Sequence, residues 1–78
     1  MMVDVLFFAE LQEAAGSEKI NVEADGLSVN ELRMKLKSSY DLTNLDNAMT
    51  AVNEEYSRED TVLKSGDVVA FIPPVSGG

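Results

Sequence analysis

The sequence predicts a single small α+β domain, and three features of the chain support this. Its 78 residues are the length of one domain. Two strongly apolar segments, residues 3–9 and 67–72, lie near the two ends. Between them, Val29, Leu32 and Leu36 follow one another at i, i+3 and i+7, the spacing of one helix face. Terminal strands and one amphipathic helix favour a sheet with a helix packed across it.

The first apolar segment, VDVLFFA at residues 3–9, predicts a strand because it is rich in β-branched and aromatic residues. Its apolar residues divide between the two faces of a strand, with Val3, Val5 and Phe7 on one and Leu6 and Phe8 on the other. Because both faces are apolar, we expect a central strand that is covered on both sides.

A short helix and a second strand are expected next. Residues 10–15 are compatible with a helix, and Gly16 is a suitable C-terminal stop. Residues 19–24 alternate between apolar and polar, with Ile20 and Val22 on the inward face. This alternation predicts a half-buried strand that forms a hairpin with the first.

The main helix has a clear start in the sequence. After a turn at residues 25–26, Ser28 is followed three residues later by Glu31, the spacing of a capping box. We expect the helix to begin there, to pack Val29, Leu32 and Leu36 on the sheet, and to end near residue 39 or 40.

The second half of the chain predicts two more strands. Residues 42–49 are ambiguous and could hold a short second helix. Residues 50–53 predict a short strand that could continue through Tyr56. A turn at residues 64–67 precedes the last apolar strand, residues 67–72. Pro73-Pro74 ends it, because proline cannot donate to a ladder.

The order of elements favours one topology. The two terminal strands pack most economically side by side and parallel at the centre of the sheet, with the main helix across one face. This arrangement is the β-grasp, or ubiquitin-like, fold. We assign residues 1–74 to that domain and residues 75–78 to a flexible C-terminal tail.

The composition excludes several classes of function. The chain has no His, Cys or Trp, which removes the usual zinc sites, iron–sulfur clusters and His-activated nucleophiles. A net charge of −8 argues against nucleic acid and anionic membranes as partners. No apolar stretch is long enough to span a bilayer. We therefore expect a soluble protein with no metal site, located in the cytoplasm.

The last residues, PPVSGG at 73–78, are the most informative part of the chain. The two prolines favour an extended segment, and six residues reach at most about 20 Å, enough to enter a partner's active site. Gly77 and Gly78 have no Cβ to clash in a narrow channel. The sequence thus indicates the main-chain carboxylate of Gly78 as the reactive group, which an enzyme can activate as an acyl adenylate and convert into a thiocarboxylate.

With these motifs the sequence resembles the small subunits of molybdopterin synthase, relatives of ubiquitin and of the thiamin-pathway sulfur carrier. The resemblance covers the whole chain and is carried by LFFA at 6–9, AVN at 51–53, GDVVAF at 66–71 and the PPVSGG ending. The thiamin carrier typically lacks the double proline, and ubiquitin-type modifiers usually carry arginines before the glycines.

The resemblance implies a sulfur carrier that is not catalytic alone. A ubiquitin-activating-like adenylyltransferase would use ATP to adenylate Gly78, and a sulfur donor protein would then supply sulfur. The thiocarboxylated tail would enter the large synthase subunit, which holds cyclic pyranopterin monophosphate, in an assembly of two small and two large subunits. No permanently bound cofactor is implied.

The resemblance also implies contact residues. Those expected to contact partner proteins are Phe8, Tyr56, Ile72, Pro73, Pro74, Val75 and Ser76. Phe8 and Ile72 lie on the strand faces opposite Phe7 and Phe71, so they could form one exposed apolar patch, which often marks an interface. The alternative is that a loop covers them as a second small core. Ile72 departs from the family pattern, in which an aromatic residue is common.

Two other functions remain open at this point. The chain could carry sulfur for another pathway such as thiamin thiazole synthesis, or act as a ubiquitin-like protein modifier. It could also be a non-catalytic β-grasp interaction module with an inert tail.

Overall fold

A computed structural model of the chain describes residues 2–24, 26–40 and 43–73. In chain order, their elements are β1 (Met2–Phe7), α1 (Glu10–Ala15), β2 (Lys19–Glu23), α2 (Val29–Tyr40), a 3₁₀ helix (Thr43–Asn47), β3 (Met49–Val52), β4 (Glu55–Tyr56) and β5 (Val68–Ile72). The predicted tail, residues 75–78, and the predicted stop at Pro74 lie outside the described residues.

The strands form one mixed sheet in the order β2-β1-β5-β3-β4. The two terminal strands pair in parallel, with Val5 opposite Val69 and Phe7 opposite Phe71. β1 and β2 form the predicted antiparallel hairpin. The predicted β-grasp topology is therefore confirmed.

Helix α2 begins with the predicted capping box. The backbone N–H of Ser28 donates to the Glu31 carboxylate at 2.9 Å, and the N–H of Glu31 donates to the Ser28 hydroxyl at 3.2 Å. These bonds satisfy backbone donors that a helix start otherwise leaves open. The helix ends at Tyr40, within the range that the sequence predicts.

The core lies between α2 and one face of the sheet. Its residues are Val3, Val5, Phe7, Leu11, Ala24, Val29, Leu32, Leu36, Leu45, Ala48, Leu63, Val69 and Phe71. The rings of Phe7 and Phe71 stack with their centroids 6.3 Å apart, so the parallel strand pair also packs through its side chains.

One charged side chain, Arg33, is buried beside this core, with only 6% of its surface exposed. Its guanidinium nitrogens donate to the carbonyls of Leu45, Asp46 and Ala48, to the Thr50 hydroxyl and to the Glu59 carboxylate. The guanidinium carbon also lies 5.8 Å from the Phe71 ring centroid. Arg33 thereby fixes the 3₁₀ segment and β3 against α2, a role that the sequence did not reveal.

Two expectations for the strands need correction. β1 is in the sheet interior as predicted, but only its Val3, Val5 and Phe7 face is buried, because no described element covers the other side. The strand at residues 50–53 does not continue through Tyr56. Asn53 and Glu54 both have positive φ, at 52° and 71°, so the chain reverses and β4 is a separate strand.

The ambiguous segment at residues 42–49 contains a short 3₁₀ helix rather than an α-helix, and Leu42 lies outside the described residues. The predicted turn at residues 64–67 is confirmed. The N–H of Asp67 donates to the Lys64 carbonyl at 3.0 Å, and Gly66 supplies a left-handed backbone with φ 89°.

Candidate partner-binding groove

The face of the sheet opposite α2 carries an open apolar groove of about 560 Å³. It is lined by Leu6, Phe8, Ala51, Asn53, Glu54, Tyr56, Val68, Ala70 and Ile72. The pleat explains the set, because successive side chains of β5 point to opposite faces. Val69 and Phe71 enter the core, while the residues that alternate with them line the groove.

Phe8 and Ile72, the residues expected to form an apolar patch, line this groove together with the expected contact Tyr56. Phe8 is 43% exposed, Tyr56 is 70% exposed and Ile72 is half-buried. The alternative, in which a loop of the described chain covers them, is therefore wrong. Two large aromatic residues left open in one groove are typical of an interface rather than of a folding core.

Phe8 is held in the groove by a turn that contains a non-glycine residue with positive φ. The N–H of Leu11 donates to the Phe8 carbonyl at 3.1 Å, which closes a β-turn between β1 and α1. Ala9, the second residue of that turn, has φ 52° and ψ −130°. This is the conformation of a type II′ turn, a position that glycine usually occupies.

The β2 side of the same sheet face is polar. The Asn21 amide donates to the Asp4 carboxylate, and the Lys19 ammonium lies 3.7 Å from the same carboxylate. Leu6 is paired with Lys19 on one side and with Ala70 on the other, so it marks the boundary between the polar and apolar parts of the face.

The groove lies beside the point where β5 ends and the segment that precedes the predicted tail begins. Ile72 is the last residue of β5, and Pro73 follows it with a buried side chain. The remaining predicted site residues, Pro74, Val75, Ser76, Gly77 and Gly78, lie outside the described residues. The chain therefore leaves the sheet at the groove's edge, so a protein seated in the groove would lie next to the start of the tail.

Several groove residues were not identified from the sequence as contacts. They are Leu6, Ala51, Asn53, Glu54, Val68 and Ala70. The sequence of β5 could have identified Val68 and Ala70, because both faces of this strand are apolar. Each apolar face must be covered by other residues, and the sequence predicts only one large helix to cover them. Glu54 had no such signal, since its place in the groove depends on the turn.

No group of His, Cys, Asp or Glu in residues 2–24, 26–40 and 43–73 is arranged to hold a metal ion. The helices in those ranges are also too short or too polar to cross a membrane.

Comparison with known proteins agrees with the fold and with the tail motif. A family model described as the ThiS family matches residues 5–78. The molybdopterin synthase sulfur carrier subunit of Escherichia coli K12 is 38% identical over 81 residues, which cover 99% of this chain and 100% of that protein.

Solved structures give the same result. SAMP1 from Haloferax volcanii superposes with a TM-score of 0.86 at 25% identity, covering 100% of both chains. A chain in the complex of subunits 1 and 2 of molybdopterin-converting factor from Helicobacter pylori 26695 superposes with a TM-score of 0.73 at 34% identity, again covering 100% of both chains. The chain belongs to the ThiS family and, within it, to the molybdopterin synthase sulfur carrier subunits.

Proposed function

We propose that this protein is the sulfur carrier subunit of molybdopterin synthase and that Gly78 carries the sulfur as a thiocarboxylate. The observation that supports this most strongly is the extent of the similarity. The family match runs through Gly77 and Gly78, and the E. coli carrier subunit is covered over its full length. The sulfur would be donated to cyclic pyranopterin monophosphate during molybdenum cofactor synthesis.

The chemistry requires activation of the Gly78 carboxylate, which is a poor electrophile. An adenylyltransferase would join it to the α-phosphate of ATP, forming an acyl adenylate and releasing pyrophosphate. Hydrosulfide delivered by a sulfur donor protein would then attack the acyl carbon, displace AMP and leave the thiocarboxylate. ATP belongs to the activating enzyme, so this chain needs no bound cofactor of its own. Because the reaction uses ATP and reduced sulfur, we place it in the cytoplasm.

The groove is the proposed docking surface for the large synthase subunit. A carrier must hold its body against a partner while its tail enters the active site, and Phe8, Tyr56 and Ile72 supply apolar contact area beside the tail. The H. pylori relative is described as a complex of subunits 1 and 2, which supports pairing with a second subunit. We propose an assembly of two small and two large subunits, in which Pro73 to Ser76 contact the large subunit as the tail enters it.

Intact-mass measurement tests the carrier chemistry directly. The full chain is incubated with its adenylyltransferase, ATP and a sulfide source. We expect a mass gain that equals one oxygen replaced by one sulfur, and we expect no gain in a chain that lacks Gly78. If the full chain gains no mass under conditions that convert the E. coli carrier, the proposal is wrong and an inert tail is favoured.

The pathway needs a separate test, because a thiocarboxylate alone would also suit thiamin synthesis or protein modification. We expect the gene to restore molybdenum cofactor synthesis in a strain without its own small subunit. It should not restore growth of a strain without the thiamin carrier. The reverse result would keep the carrier chemistry and change the pathway.

A further inference from the structure

The turn between β3 and β4 places a glutamate where glycine is energetically preferred. Asn53 and Glu54 form a two-residue turn with φ 52° and 71°, and Val52 and Glu55 pair on either side of it. This is a type I′ turn, in which Asn-Gly is the favoured pair because both residues need positive φ. A β-carbon at the second position is strained, so local turn energy does not explain the choice of Glu54.

This turn is fixed to the neighbouring strand by Asn53. The backbone N–H of Asn53 donates to the Val68 carbonyl at 2.7 Å, and the Asn53 side-chain oxygen accepts from the Val68 N–H at 3.0 Å. The Asn53 amide also donates to the Asp67 carboxylate at 3.0 Å. These bonds extend the β3–β5 ladder past the end of β3, so Glu54 occupies a set position at the groove rather than a loose loop.

The Glu54 side chain has no partner within the described ranges of the chain. It forms none of their side-chain hydrogen bonds or ion pairs, whereas nearby Asp67 accepts from Asn53 and from the Lys64 backbone N–H. Among the described residues that line the groove, Glu54 is also the only charged one. The groove therefore presents an apolar floor with one carboxylate at its β3–β4 end.

We propose that Glu54 is a specificity-determining contact residue, whose carboxylate pairs with a basic side chain of the large subunit when that subunit occupies the groove. This inference depends on the docking surface proposed above. Apolar contacts give affinity but discriminate weakly between partners. A partly desolvated carboxylate penalises any partner that presents an apolar or acidic group there. The basic group belongs on the part of the partner that contacts the β3–β4 turn, at the side of the groove opposite Phe8.

Two substitutions at Glu54 separate its carboxylate from its backbone. Titration calorimetry with the large subunit of the same organism measures affinity, and thermal unfolding measures stability. We expect Glu54→Ala and Glu54→Gly to weaken binding alike, by about tenfold at low salt. Glu54→Gly should also raise the melting temperature by about 4 °C, because glycine relieves the left-handed backbone.

Glu55→Ala is the matched control. Glu55 is the next residue and is equally acidic, but it lies on β4 with its side chain on the other side of the strand from Tyr56, outside the groove. We expect this variant to bind like the unmodified chain.

The salt dependence of binding gives a second test of the Glu54 carboxylate. The unmodified chain should lose more affinity than Glu54→Ala as salt rises, because salt screens the ion pair that Glu54→Ala lacks.

Two results would overturn the inference. In the first, Glu54→Ala binds like the unmodified chain, and a loss of affinity in Glu54→Gly alone would then belong to the backbone. In the second, Glu55→Ala loses as much affinity as Glu54→Ala, which would indicate general attraction to an acidic surface. Phe8→Ala distinguishes these from failure of the docking surface itself, because loss of affinity in that variant with none in Glu54→Ala rejects only the role of Glu54.

Discussion

The two faces of the sheet have similar apolar residues and different roles. On β5, Val69 and Phe71 are completely buried under α2, while Val68, Ala70 and Ile72 on the opposite face remain accessible in the groove. The strand itself does not distinguish these residues by hydrophobicity. The difference arises because the chain provides one long helix, which covers one face only.

This difference assigns separate tasks to neighbouring residues. Burial in the core stabilises the folded chain by about 1.5–3 kcal/mol for each large side chain. An apolar side chain that stays exposed contributes little to folding and becomes favourable when a partner covers it. Phe71 and Phe8 therefore represent the two roles, and substitutions on each face should affect different measurements.

The largest expected effect is at the centre of the buried face. Phe71→Ala removes a ring that stacks on Phe7 and lies near Arg33, and it leaves a cavity. We expect the free energy of unfolding, measured with denaturant, to fall by about 3–5 kcal/mol. This loss is comparable to the total stability of a small domain. A loss below about 1 kcal/mol would show that the buried face is not tightly packed.

The next largest effect is expected at the buried cation. Arg33→Leu removes the donors to the Leu45 and Ala48 carbonyls, which lie 2.6 and 2.9 Å from the guanidinium. Because both carbonyls would lose their buried donor, the free energy of unfolding should fall by about 3 kcal/mol. Arg58→Leu is the control, since Arg58 is exposed, and it should change stability by less than about 0.5 kcal/mol. Equal losses in the two variants would contradict the role of Arg33.

A smaller effect is expected at the start of the covering helix. Ser28→Ala deletes the hydroxyl that accepts from the Glu31 N–H, and it should lower stability by about 1 kcal/mol in thermal unfolding. Ser38→Ala, in the exposed C-terminal half of α2, should leave stability unchanged or slightly raised, since alanine favours helices. An unchanged stability in Ser28→Ala would mean that the capping box does not hold the helix start.

The smallest effect on folding is expected in the groove. Phe8→Ala should lower stability by less than about 1 kcal/mol, because 43% of the residue's surface is already exposed and it lies outside the core. It should weaken binding of the large subunit by more than about tenfold, as truncation of an aromatic anchor does. A large fall in melting temperature would instead place Phe8 in the core.

The sequence predicted those parts of the fold that depend on local pattern. The alternation of β2, the Ser28–Glu31 capping box and the Gly16 stop are local signals, and the structure contains all three. The parallel pairing of the terminal strands followed from their apolar character and from economical packing. Phe8, Tyr56 and Ile72 were grouped correctly, although their role as contacts stays a prediction.

Other features depend on tertiary structure and had no local signal. Glu54 is a weak turn former, and the residues around it favour a strand. The sequence therefore left open a strand that continues through Tyr56, where the structure has a turn held by Asn53 and the Val68 backbone. Arg33 was missed because arginine is usually exposed, and its carbonyl partners lie 12 and 15 residues away. The sequence of an apolar strand face also does not show whether that face is buried by residues of the same chain or by a partner protein.

Mapping where the large subunit binds tests most directly whether the sheet has one face for folding and one for docking. In NMR spectra of methyl-labelled protein, we expect the signals of Ala70 and Ile72 to shift strongly when the subunit is added. Met34 and Val62, which are 61% and 58% exposed but lie outside the groove, should stay in place. Shifts at Met34 and Val62 with none at Ala70 and Ile72 would show that the partner binds elsewhere, and the division of the sheet into a folding face and a docking face would be wrong.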